Sequence, residues 1–173
     1  MKLILIIGTV QQGKTPYIQR MIRGKRCFIY DWQNEYGKRP KYAGGTPIGL
    51  SDNIRDYRAR DTRIDYNLFI QSCMKKVDTI CVFEDATGFF EGRVDGETRK
   101  LISSRAFTRN TYVFVFHSIN SVPPRFVELS NYVILFRTAD NADKVERKCP
   151  ELLPAFLELK RNKKLPYKGI KIA

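Results

Sequence analysis

The chain has 173 residues, enough for one domain with a substantial core and too few for two ordinary ones. Apolar residues make up 43% of it, with 11 Phe and 9 Tyr, which excludes a disordered chain; no apolar run is long enough to cross a bilayer, so membrane insertion is not expected. The formal charge of +13 is concentrated at the two ends: residues 1–30 carry six bases and no acid, residues 144–173 nine bases against three acids, and residues 31–143 balance 16 against 15. Such a surplus favours a polyanionic partner, most simply nucleic acid, over a merely solvated basic surface. Cys27, Cys73, Cys81 and Cys149 show no C-x-x-C spacing and His117 is the single His, which argues against a structural metal site and fits a reducing, cytoplasmic compartment.

In chain order, near-continuous apolar runs mark strands at Leu3–Ile7, Arg26–Tyr30, Thr79–Phe83, Tyr112–Phe116 and Tyr132–Phe136, with a further terminal strand at Gly169–Ile172. Helical spacing falls between them, at Lys14–Arg23, Thr62–Lys76, Thr98–Thr108, Pro124–Ser130 and Leu152–Lys160. In the second helix Tyr66, Phe69, Ile70, Cys73 and Met74 form the apolar stripe, with Asp61 as N-cap. Strands bounded by helices imply an α/β fold around a mostly parallel sheet. Gly37–Asp61 and Thr87–Glu97 are rich in Gly and Pro or Gly and read as loops. There is no internal repeat, and the expectation is a single domain over 1–173 with a basic C-terminal tail at about 160–173. The Leu3–Ile7 run leads straight into a glycine-bounded loop, so it is not read as a signal peptide.

That loop, Gly8-Thr9-Val10-Gln11-Gln12-Gly13-Lys14-Thr15, fits the triphosphate-binding pattern G-x-x-x-x-G-K-[ST]. A strand before it and a helix after it aim main-chain N–H groups and a helix dipole at a polyphosphate. Lys14 is placed to reach the β- and γ-phosphates of ATP and Thr15 to hold Mg²⁺. Ile80-Cys81-Val82-Phe83-Glu84-Asp85 is an apolar strand closed by two carboxylates, where such folds hold Mg²⁺ and polarise an attacking water. Phe114-Val115-Phe116-His117-Ser118 is a strand ending in polar groups; if it lies between the first and third strands, His117 or Ser118 faces the γ-phosphate. Tyr30-Asp31-Trp32-Gln33-Asn34-Glu35-Tyr36-Gly37 carries Asp31 and Glu35 to the same edge.

Together these blocks resemble the HerA–FtsK superfamily of P-loop ATPases, which includes DNA translocases and viral genome-packaging ATPases. The resemblance spans roughly residues 1–140 and rests on the Walker A loop Gly8–Thr15, the block Asp31–Tyr36, the Walker B strand ending in Glu84-Asp85, and Phe116-His117-Ser118 followed by a Pro-containing helix and the strand Tyr132–Arg137. It implies a three-layer α-β-α fold with strand order near 5-1-4-3-2, and a homo-oligomeric ring, hexamer or pentamer, threading double-stranded DNA. Carried over by position, Glu84 takes the Mg²⁺-side role with Thr15, Asp85 polarises water, and His117 stands where a Gln sensor is usual; the Glu-Asp order inverts the common Asp-Glu. Arg105 and Arg109, four apart at the end of a helix, are the candidates for an arginine finger acting on a neighbouring subunit, ahead of Arg93 and Arg99.

The implied function is an ATPase coupling Mg-ATP hydrolysis to DNA movement, in a short chain suited to viral packaging in the host cytoplasm, docked on a capsid or portal component. The DNA contacts are expected around Arg93 or in Gly37–Arg60, from Lys38, Arg39, Lys41, Arg55, Arg58 and Arg60. The alternative is a small-molecule kinase of nucleoside, nucleotide or shikimate type, with Arg93–Arg109 as its lid. A third class, resembling zonula-occludens-toxin-like phage proteins, normally carries a membrane span.

Overall fold

The computed structural model describes residues 1–30, 62–90 and 94–172. Six strands form one sheet: β1 (Lys2–Ile7), β2 (Cys27–Tyr30), β3 (Ile80–Phe83), β4 (Thr111–Phe116), β5 (Tyr132–Phe136) and β6 (Tyr167–Lys171), in the order β2-β3-β4-β1-β5-β6. β1 runs parallel to β5, β2 parallel to β3, and β6 antiparallel to β5. The α/β class and the mostly parallel sheet therefore hold, with β6 added beyond β5. The helices are α1 (Lys14–Ile22), α2 (Thr62–Met74), α3 (Gly96–Thr108), α4 (Pro124–Leu129), α5 (Ala142–Lys148) and α6 (Leu153–Arg161).

The chain divides into two compact units. The first comprises residues 1–2, 15–84 and 95–113, and the second residues 3–14, 85–94 and 114–173. In the first unit, the residues that make β2 and β3 apolar also make them stick to α2: Phe28 stacks on Phe69 at 4.5 Å between ring centroids, and Phe69 meets the edge of Phe83 at 5.0 Å. Tyr66, Phe69, Ile70 and Cys73 are buried as the helical stripe requires. Asp95 caps α3 by accepting the Thr98 N–H at 2.7 Å, so this helix begins two residues before its apolar pattern does. The proposed Asp61 cap lies outside the described residues.

The second unit gathers Phe90, Phe114 and Phe126, with Phe126 at 4.9 Å from Phe90 and 4.8 Å from Phe114. Aromatic pairs at this distance and tilt add about 0.5–1.5 kcal/mol each beyond the area they bury. This corrects the expectation of a loop from Thr87 onward. Ala86–Phe89 is a 3₁₀ turn, Phe90 and Val94 are buried, and α3 starts at Gly96; residues 91–93 lie outside the described residues. The terminal strand expected at Gly169–Ile172 is present as β6, Tyr167–Lys171, within the basic C-terminal stretch, and the Tyr167 ring lies 5.3 Å from that of Phe136. Lys168 and Lys171 on this outer strand discourage further edge pairing. The α5 helix was not expected, because Ala142–Lys148 buries only Val145 and shows no apolar stripe. Among the described residues no helix is long and apolar enough to cross a membrane, and all four cysteines are buried free thiols.

Candidate functional site

The Gly8–Thr15 loop leaves the carboxyl end of β1 under tight constraint. The Gly8 N–H donates to the Phe116 carbonyl at 3.0 Å, and Thr9 donates to the Arg137 carbonyl through its N–H at 3.0 Å and its hydroxyl at 3.2 Å. The loop is thereby strapped to the ends of β4 and β5. Gly8 is required by space, since a Cβ there would meet Phe136 Cβ at 2.5 Å. Gln11 (φ 65°) and Gly13 (φ 91°) turn the chain through the left-handed region before α1 begins. Val10 and Gln11 are exposed, Gln12 and Gly13 half-exposed.

Lys14 curls back into this turn. Its Nζ donates to the Gly8 carbonyl at 2.6 Å and the Thr9 carbonyl at 2.8 Å, and the residue is 8% exposed. An ammonium group is thus held inside a loop of main-chain dipoles at a helix N-terminus, where an anion is favoured. Thr15 follows in the first turn of α1, half-exposed, and Pro16 sits where its missing N–H is harmless. Nothing in the loop departs from its pattern.

β4 does lie between β3 and β1 in the sheet, as the reading of His117 required. The structure brings His117 together with Asp85: Nε2 is 3.0 Å from Asp85 Oδ1, and both side chains are largely covered. Asp85 takes a left-handed conformation (φ 46°, ψ 50°), uncommon for a residue with a Cβ and often found where function constrains the chain. Two residues on, the Thr87 hydroxyl accepts the His117 N–H at 3.2 Å. With Nε2–H directed at the carboxylate, Nδ1 of a neutral ring is an acceptor. That atom is buried without a hydrogen-bond partner among the described residues.

The turn after β4 is itself anchored from below. Asp140, 6% exposed, accepts the Ile119 N–H at 2.7 Å and the Asn120 N–H at 3.3 Å. Lys148 Nζ donates to the Asn120 carbonyl, Lys160 Nζ to the Asp140 carbonyl at 3.2 Å, and the Ser118 hydroxyl accepts the Ser121 N–H at 3.1 Å. Sequence reasoning missed Asp140 and Thr87, since a lone acid in a polar stretch and a Thr in a glycine-rich one carry no pattern. Arg137, just past β5, donates to the carbonyls of Leu159 at 3.3 Å and of Asn162 and Leu165 at 3.0 Å each.

Glu84 is buried in the first unit, its N–H donating to the Tyr30 carbonyl at 3.2 Å. Arg105 lies in the last turn of α3, half-buried. Arg109 does not share its helical face: α3 ends at Thr108, Arg109 turns left-handed (φ 54°), and its guanidinium pairs with Asp78 at 2.5 Å. It stands by the start of β3, at the opposite end of that strand from Glu84. Asp31, Glu35, Arg93 and the bases from Lys38 to Arg60 lie outside the described residues.

A glycine-bounded loop between β1 and α1, in a mostly parallel sheet with β4 inserted between β1 and β3, defines the P-loop NTPase fold. The genome-packaging NTPase B204 of Sulfolobus turreted icosahedral virus 2, in complex with AMP, has this fold with a TM-score of 0.73 at 15% identity, over 99% of this chain and 92% of that one. Its complex with AMPPCP matches at 0.73 and 14% identity over the same shares, and B204, the DNA-packaging ATPase of Sulfolobus turreted icosahedral virus, at 0.68 and 12% over 99% and 92%. No protein-family model matches the chain, and no curated protein does.

Proposed function

We propose that the chain is an ATP-hydrolysing subunit of a nucleic-acid motor, of the kind that packages viral double-stranded DNA. The observation that carries this reading is the strapped Gly8–Lys14 loop with its inward ammonium, alongside an Asp85–His117 pair at the ends of neighbouring strands. The fold shared with B204 supports it at the level of architecture. On this reading the loop's N–H groups and Lys14 cradle the β- and γ-phosphates, Lys14 exchanging its two carbonyl partners for phosphate oxygens. Asp85 orients a water for attack on the γ-phosphorus and takes its proton as ADP leaves. His117 fixes the carboxylate through Nε2–H.

Thr15 and Glu84 offer a hydroxyl and a carboxylate, hard oxygen donors suited to Mg²⁺, and no group of three or more acidic, His or Cys residues among the described residues forms an all-protein cage. That fits an ion held by one or two side chains and by the nucleotide, where it would offset charge on the β- and γ-phosphates. Arg105 and Arg109 are proposed to act on the next subunit of a hexameric or pentameric ring. Arg109 supports this by standing away from Glu84 in its own chain. Duplex DNA and a capsid or portal component are the proposed partners.

The kinase reading needs a mobile lid over the phosphates. Most of that segment, Gly96–Thr108, is instead α3, a capped helix with Thr98, Leu101 and Ile102 buried. Steady-state ATP hydrolysis with and without duplex DNA, alongside the mass of the assembled species, tests the proposal. DNA-stimulated turnover that falls steeply with salt is expected. Asp85→Asn should lower kcat by about 10²- to 10⁴-fold with nucleotide affinity retained. Transfer of phosphate to a small acceptor, indifferent to DNA, would overturn the motor.

A further inference from the structure

The amino ends of β2, β3 and β4 share one edge within the first unit. Three hydrogen bonds align them: Ile80 N–H to the Arg26 carbonyl at 2.9 Å, Asp78 N–H to Thr108 at 3.0 Å, and Thr111 N–H to Thr79 at 3.0 Å. Asn110, fully buried, locks the set. Its Oδ1 accepts the Thr79 N–H at 2.9 Å, and its Nδ2 donates to the carbonyls of Lys76 at 2.9 Å and Cys73 at 3.2 Å. The edge is therefore a preformed platform, whose side chains need no ordering of the main chain beneath them.

Its charge is one-sided. Arg23, Lys25, Arg26, Lys75 and Arg109 are exposed, and the one acid among residues 20–26, 72–79 and 105–110 is Asp78, paired with Arg109. Phe107, in the last turn of α3, stands at this edge 90% exposed. It is the one exposed aromatic among the described residues, and it precedes the residue whose carbonyl holds Asp78. Packing among the described residues gives no reason for it to be there, and leaving so large an apolar ring in water is unfavourable.

We propose that this edge binds a single nucleic-acid strand, its phosphates on Arg23, Lys25, Arg26 and Lys75 and one unstacked base on Phe107. Cations spread over adjacent strand ends, about 4.8 Å apart in the main chain, suit a regular polyanion, and an exposed aromatic beside them is the platform on which bases of a single strand stack. A duplex would meet the cations but keep its base faces covered. A second copy of this chain approaching with this same edge would set cation against cation. The inference does not rest on the nucleotide reading.

Fluorescence anisotropy with a labelled deoxythymidine oligomer of about 20 nucleotides, and with a duplex of that length, tests it between about 50 and 200 mM salt. Phe107→Ala should weaken oligomer binding by about 5- to 150-fold with little change in the salt dependence. The triple variant Arg23→Glu, Lys25→Glu, Arg26→Glu should weaken it at least about tenfold and flatten that dependence. Lys163→Glu with Lys164→Glu should bind as the parent does. Lys14→Ala, which disables the proposed nucleotide site, should also retain oligomer binding, so that either reading can fail alone. Parent affinity in Phe107→Ala overturns the proposal. So does equal loss of duplex binding in both edge variants, or a changed assembly mass with oligomer binding intact, which would make the face a contact between copies.

Discussion

The Gly8–Lys14 loop and the surroundings of His117 neighbour each other in one unit, yet they are built by different means. The loop is shaped largely by main chain: N–H groups donate to the carbonyls of Phe116 and Arg137, a glycine fits where no Cβ can, and Lys14 donates to the loop carbonyls of Gly8 and Thr9. The His117 turn is held by side chains, namely Asp85, Thr87, Ser118 and Asp140. A scaffold of main chain tolerates most side chains and fails abruptly at the few positions where space or backbone angle decides. A scaffold of side chains degrades stepwise as each hydrogen bond is lost.

Substitution should expose that contrast. The largest effect is expected for Lys14→Ala, which should abolish ATP hydrolysis while leaving the melting temperature within a few degrees of the parent; undiminished turnover would remove the nucleotide site. Gly8→Ala comes next. Its new methyl must displace Phe136, costing about 1–3 kcal/mol, visible as a lower urea midpoint with unchanged slope. Asp140→Ala should show the graded failure of the other region. One buried and one part-buried N–H group lose their acceptor, stability falls by about 1–3 kcal/mol, and Asp140→Asn, keeping one acceptor oxygen, recovers part of it. If Asp140→Ala were as stable as the parent, the anchoring role would be wrong.

The smallest effect concerns Cys149. Burial, and then the neighbouring Glu151, push its thiol up to about 11, with Lys148 pulling down and Asp140 adding to the rise. The folded state thus prefers the neutral thiol. That preference is fully present below the ordinary thiol range and is lost as pH rises through about 11. Urea titrations should show a modest fall in stability between pH 8 and that value, reduced in Cys149→Ala.

The same contrast decides what could be read from the residues alone. The five buried strands were legible because such strands are near-continuous apolar runs, the outer β6 was placed within two residues at Gly169–Ile172, and the loop was legible because its geometry demands Gly8, Gly13 and Lys14 at fixed spacing. Nothing local foretells that Asp140 will meet Ile119, or that Asp85 will turn left-handed toward His117; those are products of tertiary packing. The end of α3 at Thr108 was legible, but the departure of Arg109 from its helical face was not, because Arg109 adopts a conformation usually given to Gly or Asn.

Arg137 joins two distant stretches of chain: its carbonyl receives both Thr9 donors, while its guanidinium grips one carbonyl in the last turn of α6 and two in the turn between α6 and β6. One residue is therefore a lever with the loop at one end and the C-terminal hairpin at the other. Tension applied to the last strand, by a docked neighbour or by an affinity tag fused there, would arrive at Thr9 without passing through the core.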